Sequence, residues 1–122
     1  MKKNKNFIFA LKNALAGLIF GLKQERNVQY DFVIAIFVVL LSSYLKINKV
    51  EWVFVIFSIG LVLIVEYLNS AIERCVDLAI GSNFHELAKQ AKDAGASAAL
   101  IAALTSAIVG IMIFLPKLIK LL

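Results

Sequence analysis

Residues 94–115, AGASAALIAALTSAIVGIMIFL, form a run of 22 residues without a single charge. A helix needs about 20 apolar residues to cross the roughly 30 Å hydrocarbon core of a bilayer, so this run is long enough to span alone. Two shorter charge-free runs precede it, Phe32–Leu45 and Trp52–Val65, of 14 residues each. They reach spanning length only if their helices continue through polar residues, to Asp31 in the first and to Glu66 in the second. That extension sets carboxylates at the membrane edge, where a charge is costly without a role. Asn83 and Glu86 have the spacing of a capping box, and Pro116 is a natural stop. The last helix is therefore expected over Phe84–Leu115, with its first turns standing outside the bilayer.

Composition agrees with a membrane class. Of the 122 residues 61% are hydrophobic and 17% charged, against about 45–50% and about 25% in ordinary soluble domains. A chain this short has too much surface for its volume to hide that apolar share in a water-soluble monomer. The single cysteine, Cys75, excludes an internal disulfide, and nothing is collagen-like or low in complexity. The net charge of +5 comes from bases beside apolar spans rather than from a basic stripe on a polar scaffold, so nucleic acid is not an expected partner.

The segment Phe7–Leu22 is apolar but interrupted. Phe7, Leu11, Leu15, Leu18 and Leu22 share one helical face, while Lys12, Asn13, Gly17 and Lys23 lie opposite. This is the pattern of an interfacial amphipathic helix; a fourth span is the competing reading. The expected fold is all-α and integral to the membrane, with three transmembrane helices and an N-terminal amphipathic surface helix, in a single domain over 1–122. With the N-terminus inside, nine Lys/Arg fall on inner segments and four on outer ones, as the positive-inside rule favours. The last span carries two ladders of small residues four apart, Ala91-Gly95-Ala99-Ala103-Ala107 and Ala98-Ala102-Ser106-Gly110. Such faces let helix backbones approach closely in lipid. Three short spans offer little internal packing, so a homo-oligomer is expected.

The chemistry concentrates in residues 66–77. At about 100° per residue, Glu66, Asn69, Glu73 and Asp77 fall within about 80° of one another on a helical wheel. Three carboxylates and an amide thus share one face, starting at the membrane boundary. Like charges on one face repel, and desolvation adds to the cost. A divalent metal with oxygen ligands is the natural counter-ion; Mg²⁺ often takes only one or two carboxylates plus substrate phosphates. A solvated polar face and an ion or proton pathway remain alternatives, the latter in a small ion-coupled transporter or channel subunit. Glu25, His85 and the Lys92–Asp93 pair fall on the same cytoplasmic edge and favour catalysis. Gly17, Gly21 and Lys23 lack phosphate-loop spacing. One His and one Cys cannot build a zinc cluster.

The block Glu66-Tyr-Leu-Asn69-Ser70-Ala71-Ile72-Glu73-Arg-Cys-Val-Asp77 resembles the signature of the prokaryotic diacylglycerol kinase family, which includes undecaprenol kinases. His85-Glu86-Leu87-Ala88 with Ala91-Lys92-Asp93 resembles its second block, and Glu25-Arg26-Asn27 the segment entering its first span. The likeness covers about residues 7–115. One spacing departs: Asp77 to His85 is one residue longer than the family pattern. Where many members carry an aromatic residue for the nucleotide, this chain has Asn13.

The resemblance implies a lipid kinase of the bacterial inner membrane, a homotrimer with cytoplasmic active sites shared between subunits. It implies transfer of the γ-phosphoryl group of ATP, with Mg²⁺, to the hydroxyl of a membrane lipid alcohol. The product is phosphatidic acid from diacylglycerol or undecaprenyl phosphate from undecaprenol. On matching positions, Glu66 is implied as general base, with Asn69 and Asp77 shaping the site. Glu25 and Glu73 are implied to hold the metal, and Phe84, His85, Lys92 and Asp93 to contact the nucleotide. Phosphoryl transfer asks mainly for positioning and charge neutralisation, which such a set supplies.

Overall fold

The computed structural model describes residues 6–122; Lys2, Lys3 and Lys5, counted above in the inner positive charge, lie outside the described residues. The chain is all-helical, in the order α1 (Phe7–Gln24), α2 (Arg26–Leu45), α3 (Lys49–Ile80) and α4 (Glu86–Leu121). All four are long and apolar enough to cross a membrane, α1 being the least apolar. Large apolar side chains face outward along every helix, among them Phe20, Phe37, Phe57 and Ile101. That is the inverse of a water-soluble fold and suits lipid as the solvent.

Local chemistry sets the helix ends. The Asn6 side chain accepts from the Phe9 N–H at 2.9 Å and starts α1. Glu25 is the one extended residue between α1 and α2, and its side chain caps neither. Instead the Gln29 amide donates to the Leu22 carbonyl at 2.9 Å, satisfying an orphan acceptor at the end of α1. A capping box opens α3: the Asn48 side chain accepts from the Glu51 N–H at 2.8 Å, and the Glu51 carboxylate accepts from the Asn48 N–H at 3.0 Å. Gly81 closes α3 at φ +61, a backbone region that side chains disfavour.

The predicted limits of the last helix need correction at both ends. The box between Asn83 and Glu86 does not form. Asn83 is held in the turn by its N–H to the Ile80 carbonyl at 3.1 Å, and two more residues pass before helical geometry begins. His85 is the N-cap, its Nδ1 accepting from the Leu87 N–H at 3.1 Å. Nor does Pro116 stop α4, which runs on to Leu121. A proline inside a helix forfeits one hydrogen bond and crowds the preceding turn, at a cost of about 3 kcal/mol. Lys117 just beyond it lies 3.2 Å from Glu51 on α3 and offsets part of that cost.

The closest helix pair is α3 with α4. A stripe of buried and half-buried positions on α4 runs through Gly95, Ala99, Ala102, Ser106, Val109 and Ile113, spaced alternately four and three apart, with Ala91, Gly110 and Phe114 beside it. The seam is thus heptad-like, using the first half of one small-residue ladder and the second half of the other, with Ala103 and Ala107 left outside. A strict spacing of four drifts around a 3.6-residue helix, whereas alternating threes and fours stay on one side. Ser106 on this seam donates to the Ser58 carbonyl at 3.3 Å. The end of the bundle far from Glu66 is sealed by Ile47, Val55, Ile113 and Phe114.

The Glu51 carboxylate thus serves twice, accepting from the Asn48 N–H and pairing with Lys117 of α4. Glu51→Gln should lower the thermal stability of the protein in detergent, and Lys117→Gln should cost less in that background than in wild type, as a double-mutant cycle of thermal melts would read.

Candidate functional site

The polar face of α3 keeps its predicted membership but divides by depth. Glu66 and Asn69 are buried, at 8% and 6% exposure, and Ser70 is buried with them. Glu73 is half-buried and Asp77 exposed. Burial therefore fades along α3, so one end of the face is dry and the other wet. Near the dry end, Glu66 lies within electrostatic reach of Asp31, Glu73 and Glu25, and the Asn27 side chain is within hydrogen-bonding reach of its carboxylate.

Two buried side-chain oxygens among the described residues have no hydrogen-bond partner, Asp31 Oδ2 and Asn69 Oδ1. Such orphans are rare in native proteins and mark places where something is to be bound. Asn69 Oδ1 points at the backbone of Gly95, and the absence of a Cβ there is what admits the amide. The small-residue seam thus has a local purpose: it lets α4 come near enough to enclose the middle of the acid face.

At the wet end, Lys92 of α4 pairs with Asp77 at 2.6 Å and also lies within reach of Glu73. The Asp77 carboxylate holds its ammonium above the ordinary lysine value. Asp93 pairs with Lys89 at 2.8 Å. Phe84, His85, Lys92 and Asp93 line one shallow cavity of about 220 Å³ at the α3–α4 turn, together with Asn83 and Lys89. Phe84 is open to solvent, as an aromatic side chain free to stack would be.

The residues thus fall into two groups, an acid cluster of Glu25, Glu66 and Glu73 and a basic notch around His85 and Lys92, with Lys92 and Asp77 joining them. From Glu66 to Asp77 is eleven residues, or about 16 Å of helix, so the site is long and runs along the axis of α3. Phe84 and His85 belong to the notch and not to the acid cluster. Among the described residues no three acid, His or Cys side chains converge as a metal site. Glu25 and Glu73, both within electrostatic reach of Glu66, offer oxygen donors alone. Such a pair fits a hard cation that completes its shell from phosphate and water.

Several neighbours had no role in the sequence reading. Asp31 stood out only as a carboxylate at the membrane edge. Asn27 appeared only within the Glu25-Arg26-Asn27 segment, without a role of its own, and Lys89 carries no signal without the fold. Arg74 and Tyr67 reach α1 from the side of α3 that flanks the acid face. Arg74 pairs with Glu25, and the Tyr67 hydroxyl donates to the Leu18 carbonyl at 2.7 Å.

Comparison with known proteins bears on the same residues. The profile of the family described as prokaryotic diacylglycerol kinase matches residues 12–114. A diacylglycerol kinase of Synechocystis is 35% identical over 117 residues, 96% of this chain and 67% of that protein. An undecaprenol kinase of Bacillus subtilis is 42% identical over 96 residues, 79% of this chain and 77% of the relative. A diacylglycerol kinase of Escherichia coli is 45% identical over 84 residues, covering 69% and 68%.

The Gly95–Asn69 contact gives a test. A Cβ at position 95 would run into Asn69 Oδ1 and come within 3.6 Å of Ile72 Cδ1. Gly95→Ala should cost about 1–3 kcal/mol of overpacking, measured by unfolding in mixed micelles. The cost should fall when Asn69→Ala is made in the same chain.

Proposed function

The chain belongs to the prokaryotic diacylglycerol kinase family and is a lipid kinase with ATP as phosphoryl donor, and from that premise we propose how its helices carry out the transfer. In this reading α2, α3 and α4 span the bilayer and α1 lies along the cytoplasmic surface, in one domain. The observation that carries the assignment is the burial of Glu66 near the middle of a helix longer than the membrane is thick. Glu66 stands 17 residues, or about 26 Å, from the outer start of α3 at Lys49, close to the roughly 30 Å of a hydrocarbon core. The rest of α3, as far as Ile80, then stands in the cytoplasm. A lipid hydroxyl reaches such a point sideways from the bilayer, and ATP reaches it from water.

Glu66 is the general base. Its carboxylate takes the proton of the lipid hydroxyl as the oxygen attacks the γ-phosphorus, and the bond from that phosphorus to the ADP oxygen breaks. Asn69 and Asp77 shape the site on either side, Asn69 pressed against Gly95 and Asp77 holding Lys92. Glu25 and Glu73 are the residues that would hold Mg²⁺, and when bound the ion would neutralise the charge of the phosphate oxygens. Lys92 offers a point charge to the same phosphates. Phe84, His85 and Asp93 contact the nucleotide in the notch, whose α3 wall is Ile80, about 21 Å along the helix from Glu66. The burial of Glu66 and Asn69 excludes water, which would otherwise compete with the lipid hydroxyl.

The protein sits in the bacterial inner membrane with its N-terminus and active site cytoplasmic, and it works as a homo-oligomer, a trimer on the family pattern. Ala103 and Ala107, left outside the α3–α4 seam, offer a close-packing face for a neighbouring copy. Relatives named for diacylglycerol and for undecaprenol match over comparable lengths, so the acceptor is one of these two alcohols. The ion-coupled transporter reading finds no support among the relatives.

Purified protein in bilayers, given ATP and Mg²⁺ with each lipid alcohol in parallel, should phosphorylate one of them preferentially. Glu66→Gln should lower that rate by at least about a hundredfold while leaving nucleotide binding in place. A Glu66→Gln protein that transfers at the wild-type rate would remove Glu66 from the mechanism. Chelation of the divalent ion should abolish transfer, and resupply should restore it.

A further inference from the structure

Arg74 is the one Lys/Arg in residues 66–80. It follows Glu73 directly, but adjacent helical residues point about 100° apart, so its side chain leaves the acid face and turns to α1. There the guanidinium lies over the Phe20 ring, 4.7 Å from its centroid, and pairs with the carboxylate of Glu25. Seven residues earlier on the same side, Tyr67 covers Gly21, where a Cβ would come within 2.8 Å of the ring carbon Cζ. Two side chains of α3 thus grip the end of α1, one through a backbone carbonyl and one through Glu25. Glu25 caps neither helix with its side chain, so its carboxylate is free to change partners. The ion pair is accessible, with Arg74 at 53% and Glu25 at 23% side-chain exposure.

We propose that Arg74 is a positioning residue that holds Glu25 as a stand-in cation and yields it when the metal–nucleotide complex binds. The proposal rests on the reading of Glu25 as a metal ligand. Arginine and a divalent ion compete for the same two carboxylate oxygens, so each weakens the other's hold. Without the metal–nucleotide complex, the pair keeps Glu25 turned toward α3 and offsets its repulsion with Glu66 and Glu73. Stacking on Phe20 holds the guanidinium at Glu25 in this paired state, so the stack strengthens the competitor of the metal. An accessible ion pair is weak enough to break readily, and its loss should change metal affinity by about two- to fivefold.

The test uses the full chain in detergent micelles with a non-hydrolysable ATP analogue and Mn²⁺ as the probe, free Mn²⁺ being read by electron paramagnetic resonance without turnover. Arg74→Gln should lower the Mn²⁺ half-saturation by about two- to fivefold at low ionic strength, and Arg74→Lys should shift it less. In a Glu25→Gln background Arg74→Gln should have no effect. Phe20→Leu, which keeps both charges and removes the stack, should shift the value in the same direction by less, and it serves if Arg74→Gln fails to fold. Unchanged or weaker Mn²⁺ binding in Arg74→Gln, or equal tightening without Glu25, overturns the proposal. Wild-type Mn²⁺ binding by Glu25→Gln would instead overturn the metal reading on which it stands.

Discussion

The close approach of α3 and α4 at Gly95 is the contact on which the site depends. The three carboxylates of residues 66–77 share one face of a helix, and a helix at ordinary packing distance would leave that face half open. Without a Cβ at position 95, α4 comes near enough to cover Asn69. The same approach brings Lys92, almost one turn earlier on α4, to Asp77. One small residue thus accounts for the dry middle of the face and for the cation at its wet end. The remainder of the seam, down to Ile113, keeps α4 in that register.

The second constraint is length. Both α3 and α4 are longer than a bilayer core needs. In the proposed placement their surplus lies at the same end, so that α3 carries its acids out of the membrane at a fixed height and α4 returns beside it from the turn after Gly81. The notch proposed for the nucleotide forms at that turn because the two helices reverse direction there. Phosphoryl transfer to a lipid alcohol needs an acceptor that stays in the bilayer and a donor that stays in water. A rigid helix crossing the boundary meets that need without a moving domain.

Much of this is legible in the sequence. The charge-free run of residues 94–115 and the wheel of Glu66, Asn69, Glu73 and Asp77 are local patterns, and local patterns survive folding. His85 caps α4 through the N–H of Leu87, only two residues on, a contact equally local. The box of Asn83 with Glu86 failed because a turn, which spacing does not reveal, had already engaged Asn83. Pro116 did not end α4, although a proline inside a helix costs about 3 kcal/mol; the Lys117–Glu51 pair, a long-range contact that the sequence does not reveal, offsets only part of that cost. The small-residue ladders marked the right helix but not the seam, whose path depends on the partner helix. Arg74 escaped notice altogether: beside Glu73 in the chain it reads as a cancelled charge, and only the position of α1 makes it a partner of Glu25. Asp31 and Asn27 acquire neighbours in the same way, through packing of helices distant in sequence.

The central claim is that these few acids at a membrane boundary serve transfer from a nucleotide in water to an alcohol in lipid. It is tested most directly by following the label. Purified protein in bilayers containing diacylglycerol or undecaprenol would be incubated with ATP labelled on either its γ- or its α-phosphorus, and the lipid extracted. The account predicts that γ-label enters the lipid as a phosphomonoester and that α-label stays in water. Label from neither position in the lipid, with ATP intact, would contradict it.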